Sequence, residues 1–328
     1  MRGESFVAHY PFAVARNSTR STSAVLASAA DAAYGRQLLN LIGSVKANSD
    51  LFDRILVYDL GLSRVQRGLL ERVEGVEVRQ VPPFVPHWAQ CWSWKPWIWT
   101  HVDAGLLLYL DAGVTVLREL TDPLEQIESR GYFLIGTGHP NEEHIPGAYY
   151  PLYDLPDWIR ERDCVGANVV GFDPHSSFYG EVVEPTFRDV ELGRNLGWSE
   201  QELSWRNVGL NHLAEPIVRD APRFRHDQTL LNIHLYRWSE QPYVNPTAPY
   251  AGSVSAQQHP DQLMWAHRRR ADYRYLAGLP YATPGARLAG RALGFALQLR
   301  SWFNVNGRNP RAYLAKAAAL ETHLRRSS

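Results

Sequence analysis

Gly105-Leu106-Leu107-Leu108-Tyr109-Leu110-Asp111-Ala112-Gly113 is the stretch on which the fold of this chain turns. A nearly continuous apolar run, without polar alternation, reads as a central strand buried on both faces, which is the habit of parallel sheets. It delivers one carboxylate, Asp111, to its carboxyl tip. Gly113 beside it lets a ligand approach the backbone. Upstream, strands and helices alternate. Residues 24–27, 54–58 and 76–81 are apolar runs that read as strands, the last stopped by Pro82-Pro83. Between them, Leu38, Leu39, Leu41, Ile42 and Val45 recur at helical spacing, and Ser63 is placed to cap a helix over residues 64–73. Residues 94–102 read as a helix entering the Leu106 strand. Such alternation predicts a parallel α/β sheet with helices against it. Ligands of these sheets bind beyond the carboxyl ends of the strands. Asp31, Asp59 and Asp111 all fall at or just after those ends.

Beyond the Asp111 strand the pattern loosens. Residues 132–135 and 168–172 read as strands, and 178–187 and 226–238 as helices. The polar and aromatic stretch between them, about 136–163, reads as a long loop, a candidate lid over an acceptor. It holds His139, Glu142, Glu143 and His144, whose spacing matches no metal-ligand template. The expected organisation is a polar leader over 1–22, a catalytic α/β unit over 23–278, and a basic helical segment over 279–328. No Walker loop, GxSxG elbow or GxGxxG turn is present, which argues against a P-loop NTPase, an α/β-hydrolase and a dinucleotide dehydrogenase.

Three short segments carry the chemistry. Ala30-Asp31-Ala32-Ala33-Tyr34 follows the first strand: Tyr34 can stack on a base while Asp31 accepts hydrogen bonds or caps the next helix. Asp111-Ala112-Gly113 follows the buried strand, and one carboxylate there suits a hard divalent cation on a diphosphate. Asp227-Gln228-Thr229-Leu230-Leu231-Asn232 places polar groups at the start of an apolar helix. In this order the three resemble the GT-A glycosyltransferases. More closely they resemble the family 8 group, with its Ala-Asp-x-x-Tyr segment, Asp-x-Asp motif and Asp-Gln-x-x-Leu-Asn helix start. Tyr58-Asp59-Leu60-Gly61 and Trp94-Lys95-Pro96 look like variants in related GT-A families. The resemblance spans roughly residues 23–240.

The resemblance implies a Rossmann-type, mostly parallel sheet and transfer of sugar from a nucleotide-diphosphate sugar, with a UDP-sugar first among the candidates. The acceptor would be a carbohydrate or glycolipid, and configuration at the sugar would be retained. Asp227 and Gln228 would face the anomeric carbon. Asp31 and Tyr34 would hold the nucleoside, with Asp59 helping, and Lys95 and Asn168 would contact the donor. Asp111 would bind Mn²⁺ or Mg²⁺, with His259 as partner. One departure stands out: the second aspartate of the Asp-x-Asp motif is Gly113. The metal would therefore be weakly held, take another ligand, or be dispensed with. A nucleotidyltransferase on a similar sheet and a catalytically inactive nucleotide-sugar binder stay open as alternatives.

Composition sets the outer bounds. Of 34 basic residues only Lys46, Lys95 and Lys316 are lysines, and 34 acidic residues balance the total to zero. A globally basic nucleic-acid binder is excluded on that balance. Residues 266–328 nevertheless carry a net +10, so residues 1–265 carry −10. Leu288, Ala292, Phe295, Leu299 and Phe303 recur at helical spacing among arginines, which suits either docking on the acidic body or peripheral contact with anionic lipid. Two cysteines make no disulfide framework, and His9, Pro11 and Arg16 interrupt any apolar leader. The expected location is cytoplasmic, at or near the inner face of a membrane. Lys95 lies within residues 88–99, which hold five of the chain's 11 tryptophans.

Overall fold

The computed structural model describes residues 22–196, 220–252 and 261–266, with scattered positions between 275 and 292. The first half follows the expected alternation: β1 (Ala24–Ala30), α1 (Gly35–Asn48), β2 (Arg54–Asp59), α2 (Arg64–Leu70), β3 (Val76–Gln80), α3 (Trp94–Thr100) and β4 (Leu106–Leu110). There follow β5 (Val114–Val116), α4 (Thr121–Arg130), β6 (Tyr132–Pro140), α5 (Tyr149–Leu152), β7 (Asp163–Phe172), α6 (Glu184–Glu191), α7 (His226–Trp238), β8 (Ala251–Gly252) and β9 (Met264–Ala266). Ser63 caps α2 as expected: its hydroxyl accepts from the Gln66 N–H while the Gln66 side chain accepts from the Ser63 N–H.

Six strands form one sheet in the order β3-β2-β1-β4-β7-β6. β1 pairs in parallel with β2 and β4, and β2 with β3, whereas β7 runs antiparallel to both of its neighbours. The fold is α/β, and the sheet is mostly parallel, as the apolar run of β4 implied. Side chains alternate across it. Leu107 and Tyr109 of β4 join the core under α3 and α7, while Leu106, Leu108 and Leu110 join the core under α1 and α4. The chain winds outward from β1 to β3, then returns to lay β4 on the other side of β1. That reversal opens a crevice between the carboxyl ends of β1 and β4, where ligands of such sheets sit. β5 turns away to form a second, three-stranded sheet in the order β5-β9-β8.

The stretch over 136–163 differs from the expected lid. β6 continues to Pro140, and Ile145, Tyr149, Tyr150, Tyr153, Leu155 and Ile159 are buried in the main core. The three tyrosines Tyr149, Tyr150 and Tyr153 bury too much apolar area to remain a solvated cover. Tyr153 also reaches a buried polar knot. Its hydroxyl donates to Asp189 Oδ2 at 2.7 Å, His234 Nε2 lies 2.7 Å from the same oxygen, and Arg194 donates to Oδ1 at 2.6 Å. Burial alone would raise the Asp189 carboxyl, but hydrogen bonds from His234 and Tyr153 and the charge of Arg194 outweigh it and hold it below its usual value. Asp189→Asn is therefore expected to cost about 2 kcal/mol in urea unfolding near neutral pH. Because the folded carboxyl is the stronger acid, its contribution is present above the unfolded value of about 3.9 and is lost as pH falls through the lower folded value. The difference between the two proteins should shrink below about pH 4; a difference constant with pH would contradict this role.

Among the described residues, no helix is long and apolar enough to cross a membrane. Beyond β9, Tyr275 and Leu279 are buried and Leu288 is exposed. Most of the leader over 1–22 and of the segment over 279–328 lies outside the described residues.

Candidate active site

The charged groups of the crevice are delivered by element ends, and Asn168 by the middle of β7. Ala30 closes β1, and Asp31 follows it. The Asp31 carboxylate accepts from the N–H groups of Ala33 and Tyr34 at 3.0 and 3.1 Å, which turns the chain into α1. Asp31 and the half-buried Tyr34 both line the cavity. On the other side of the switch point, the Asp111 N–H donates to the Asn168 carbonyl at 2.8 Å, which ties the tip of β4 to β7. Asp111, Gly113 and Asn168 line the same cavity.

Lys95 is the centre of the arrangement. It sits in the first turn of α3, ahead of Pro96, and its side chain is only 4% exposed. Its ammonium lies 3.0 Å from Asp111 Oδ1 and 3.0 Å from Asp227 Oδ2, and it donates to the Ala167 carbonyl at 3.3 Å. The faces of Trp94 and Tyr109 flank it, with ring centres at 5.8 and 5.6 Å. Burial opposes its charge, but Asp111 and Asp227 outweigh burial and raise it above the usual lysine value. Burial likewise pushes the Asp227 carboxyl up, and the Lys95 charge opposes that. A buried ion of either sign is tolerated only when so paired.

Asp227 and Gln228 open α7 and line the cavity. Gln228 spends Nε2 on the buried Cys164 thiol at 3.3 Å. Asn232, the last residue of the same motif, does structural work: its Oδ1 accepts from the Val165 N–H at 2.8 Å and its Nδ2 donates to the Val165 carbonyl at 3.0 Å. That two-way bond fixes α7 on β7 and so fixes Asp227. The backbone leading into both site helices is strained. Cys91 (φ 49°), Trp92 (φ 55°) and His226 (φ 34°) occupy the left-handed region, at about 1–3 kcal/mol each. His226 is also locked, with Nδ1 2.7 Å from the Asn195 carbonyl oxygen and its ring against Trp92. Burial lowers its pKa to about 4, so it is neutral at ordinary pH.

Asp59 is placed elsewhere. Its Oδ1 accepts from the Gly61 and Leu62 N–H groups at 2.8 and 2.6 Å, and its Oδ2 pairs with Arg67 at 3.0 Å. Both oxygens are occupied in building the turn after β2, and the residue does not line the cavity. The structure thus places Asp59 in the turn after β2, apart from Asp31 and Tyr34 on the cavity, rather than beside them as expected for a nucleoside contact. Asp59→Ala is expected to cost about 1 kcal/mol of stability and to leave ligand affinity within about twofold of wild type, as melting and titration would check. His259 lies outside the described residues. The cavity gains groups to which no role was assigned from sequence: Trp92, Trp94, Arg225 and Ala266. The cluster of tryptophans around Lys95 was the available signal for the first two. Arg225 adjoined a recognised motif, whereas nothing local marked Ala266.

The residues fit a divalent metal poorly. Gly113 offers no side-chain ligand. The Oδ1 of Asp111 and the Oδ2 of Asp227 already face an ammonium, and among the described residues no three His, Cys, Asp or Glu side chains stand close enough to hold an ion. Hard divalent cations want several oxygen ligands.

No protein-family model matches the sequence, and no curated protein matches it. Among solved structures the chain is similar to the apo structure of WbbM, a bifunctional glycosyltransferase, with TM-score 0.46 and 12% identity over 85% of this chain. It spans 46% of the WbbM chain, less than half of that protein's length. It is also similar to two structures of LgtC, over 61% of this chain and 83% of that one. One is an active-site mutant (TM-score 0.36, 17% identity) and the other a galactosyltransferase complex with donor and acceptor sugar analogues (TM-score 0.35, 18% identity).

Proposed function

We propose that this chain is a glycosyltransferase that takes sugar from a nucleotide-diphosphate sugar, a UDP-sugar first, and passes it to a carbohydrate or glycolipid acceptor. The observation that carries the reading is the Asp111–Lys95–Asp227 constellation at the β1/β4 switch point, with Asp31 and Tyr34 on the same cavity wall. Tyr34 and Asp31 would take the base and ribose, and the diphosphate would lie toward Asn168 and Arg225. Asp227 and Gln228 would face the anomeric carbon. As the bond from that carbon to the β-phosphate oxygen breaks, its electron pair leaves with the diphosphate. Asp227 would stabilise the oxocarbenium-like centre. The acceptor hydroxyl oxygen then bonds to the anomeric carbon and its proton passes to the departing phosphate, with configuration retained. The segment that closes β1 and leads into α1, Ala29-Ala30-Asp31-Ala32-Ala33, lacks the glycines and basic residues that a nucleotidyltransferase would use on the α-phosphate.

The test is hydrolysis and transfer with UDP-, GDP- and TDP-sugars. Turnover of one donor class is expected; absence of binding and turnover for all three would refute the reading. Binding without turnover would favour an inactive nucleotide-sugar binder. Contact of the basic C-terminal segment with anionic lipid belongs to the same reading. Full-length protein should co-sediment with anionic liposomes more than residues 1–280 do, and equal partitioning would remove the idea.

A further inference from the structure

We infer that the Lys95 ammonium is the resident cation of this site: it stands where a divalent metal would bridge the two carboxylates, and the donor diphosphate binds without metal. The inference rests on the nucleotide-sugar reading above and specifies how that site handles charge. The ammonium meets three oxygens from three different elements: Asp111 Oδ1 after β4, Asp227 Oδ2 on α7 and the Ala167 carbonyl of β7. That is an oxygen shell of the kind a hard cation collects, built around a covalently attached charge. The two carboxylates are held together by that charge, since like charges so close are otherwise costly. A dication on Asp111 Oδ1 or Asp227 Oδ2 would have to share space with Lys95 or expel it from a pocket in which it is almost wholly buried. Gly113 removes the carboxylate that would have anchored such an ion further out. Arg225, on the same cavity wall, brings a second positive charge toward an anionic ligand.

The experiment is thermal melting of the full chain with Mn²⁺ alone, with UDP, GDP or TDP in EDTA, and with Mn²⁺ and nucleotide together. For wild type, Mn²⁺ alone should leave the midpoint unmoved, and affinity for the nucleotide that binds should be the same in EDTA and in Mn²⁺ within about threefold. Lys95→Ala vacates the space between the carboxylates. It should melt lower than wild type and recover part of the loss in millimolar Mn²⁺, and Lys95→Ala/Asp111→Asn should lose that recovery. The inference is overturned if Mn²⁺ alone stabilises wild type in an Asp111-dependent way. It is also overturned if Mn²⁺ strengthens nucleotide binding by more than about tenfold, or if folded Lys95→Ala ignores the metal. Should Lys95→Ala not fold, the wild-type and Asp111→Asn measurements decide alone. Failure of every nucleotide to bind would refute the nucleotide-sugar reading, while the Mn²⁺ response of wild type and Lys95→Ala would still judge the cation.

Discussion

On the proposed function, Asp227→Asn is expected to lower sugar transfer by on the order of 10²–10³-fold while the protein stays folded, the size of loss seen when one preorganised electrostatic stabiliser is removed from a transition state. Asp227 is 3% exposed, and its position is set from two sides: Lys95 at 3.0 Å and, through Asn232, the clamp of α7 onto β7. Substituting an amide keeps the shape and removes the charge. Lys95 retains Asp111 and the Ala167 carbonyl, so no unpaired ion is created and the melting temperature should fall only modestly. Nucleotide affinity should hold within about threefold of wild type, since an interaction made only in the transition state is lost from kcat rather than from binding. A variant retaining more than about a tenth of wild-type turnover would remove Asp227 from the reacting centre. A variant that simply fails to bind nucleotide would place it in recognition instead.

The largest expected effect on stability comes from the other end of that ion pair. Lys95→Met should cost about 3–5 kcal/mol in denaturant unfolding, the cost of leaving a buried charge without its partner. Here two carboxylates are left, one of them on a residue that burial already pushes toward the protonated form. In the variant the Asp227 carboxyl, raised by burial and without the Lys95 charge that opposes it, holds its proton more tightly folded than unfolded. Stability is then highest below the unfolded aspartate value near 4 and is lost as pH rises through the raised folded value. The gap between wild type and Lys95→Met should accordingly be wider at pH 8 than at pH 5. Adding Asp227→Asn to Lys95→Met should recover part of the loss, a non-additivity of about 1–2 kcal/mol that reports the pair itself. A gap independent of pH, with strictly additive substitutions, would mean that Lys95 contributes only through packing against Trp94 and Tyr109.

Much of the framework was legible in local pattern. The apolar run of β4, the helical spacing of α1, the cap at Ser63 and the apolar body of α7 announce themselves within a dozen residues, because strand and helix periodicities are short-range properties. Asp31, Asp111, Asp227, Gln228, Lys95 and Asn168 were all named from sequence and all line one cavity. Asp59 was equally conspicuous at a strand end, yet it faces the turn that follows. Nothing local distinguishes a carboxylate aimed at a ligand from one that accepts Gly61 and Leu62 N–H groups. The aromatic stretch over 136–163 departs from the loop its polar residues suggest for a related reason. Its polar residues are interleaved with Tyr149, Tyr150 and Tyr153, and which set faces inward depends on α6 and α7 arriving from much later in the chain.

The sequence by itself determined an α/β chain with its carboxylates at the strand ends and an acidic body joined to a basic tail. Each of those properties is carried by neighbouring residues or by composition. Only the tertiary structure decided that β7 runs antiparallel beside β4, that Asp189, His234 and Tyr153 share a buried knot, and that Lys95 stands between Asp111 and Asp227. Charges far apart in sequence choose partners only when the sheet order and helix docking bring them within about 3 Å. Once they are buried, the cost of leaving any one unpaired fixes the arrangement.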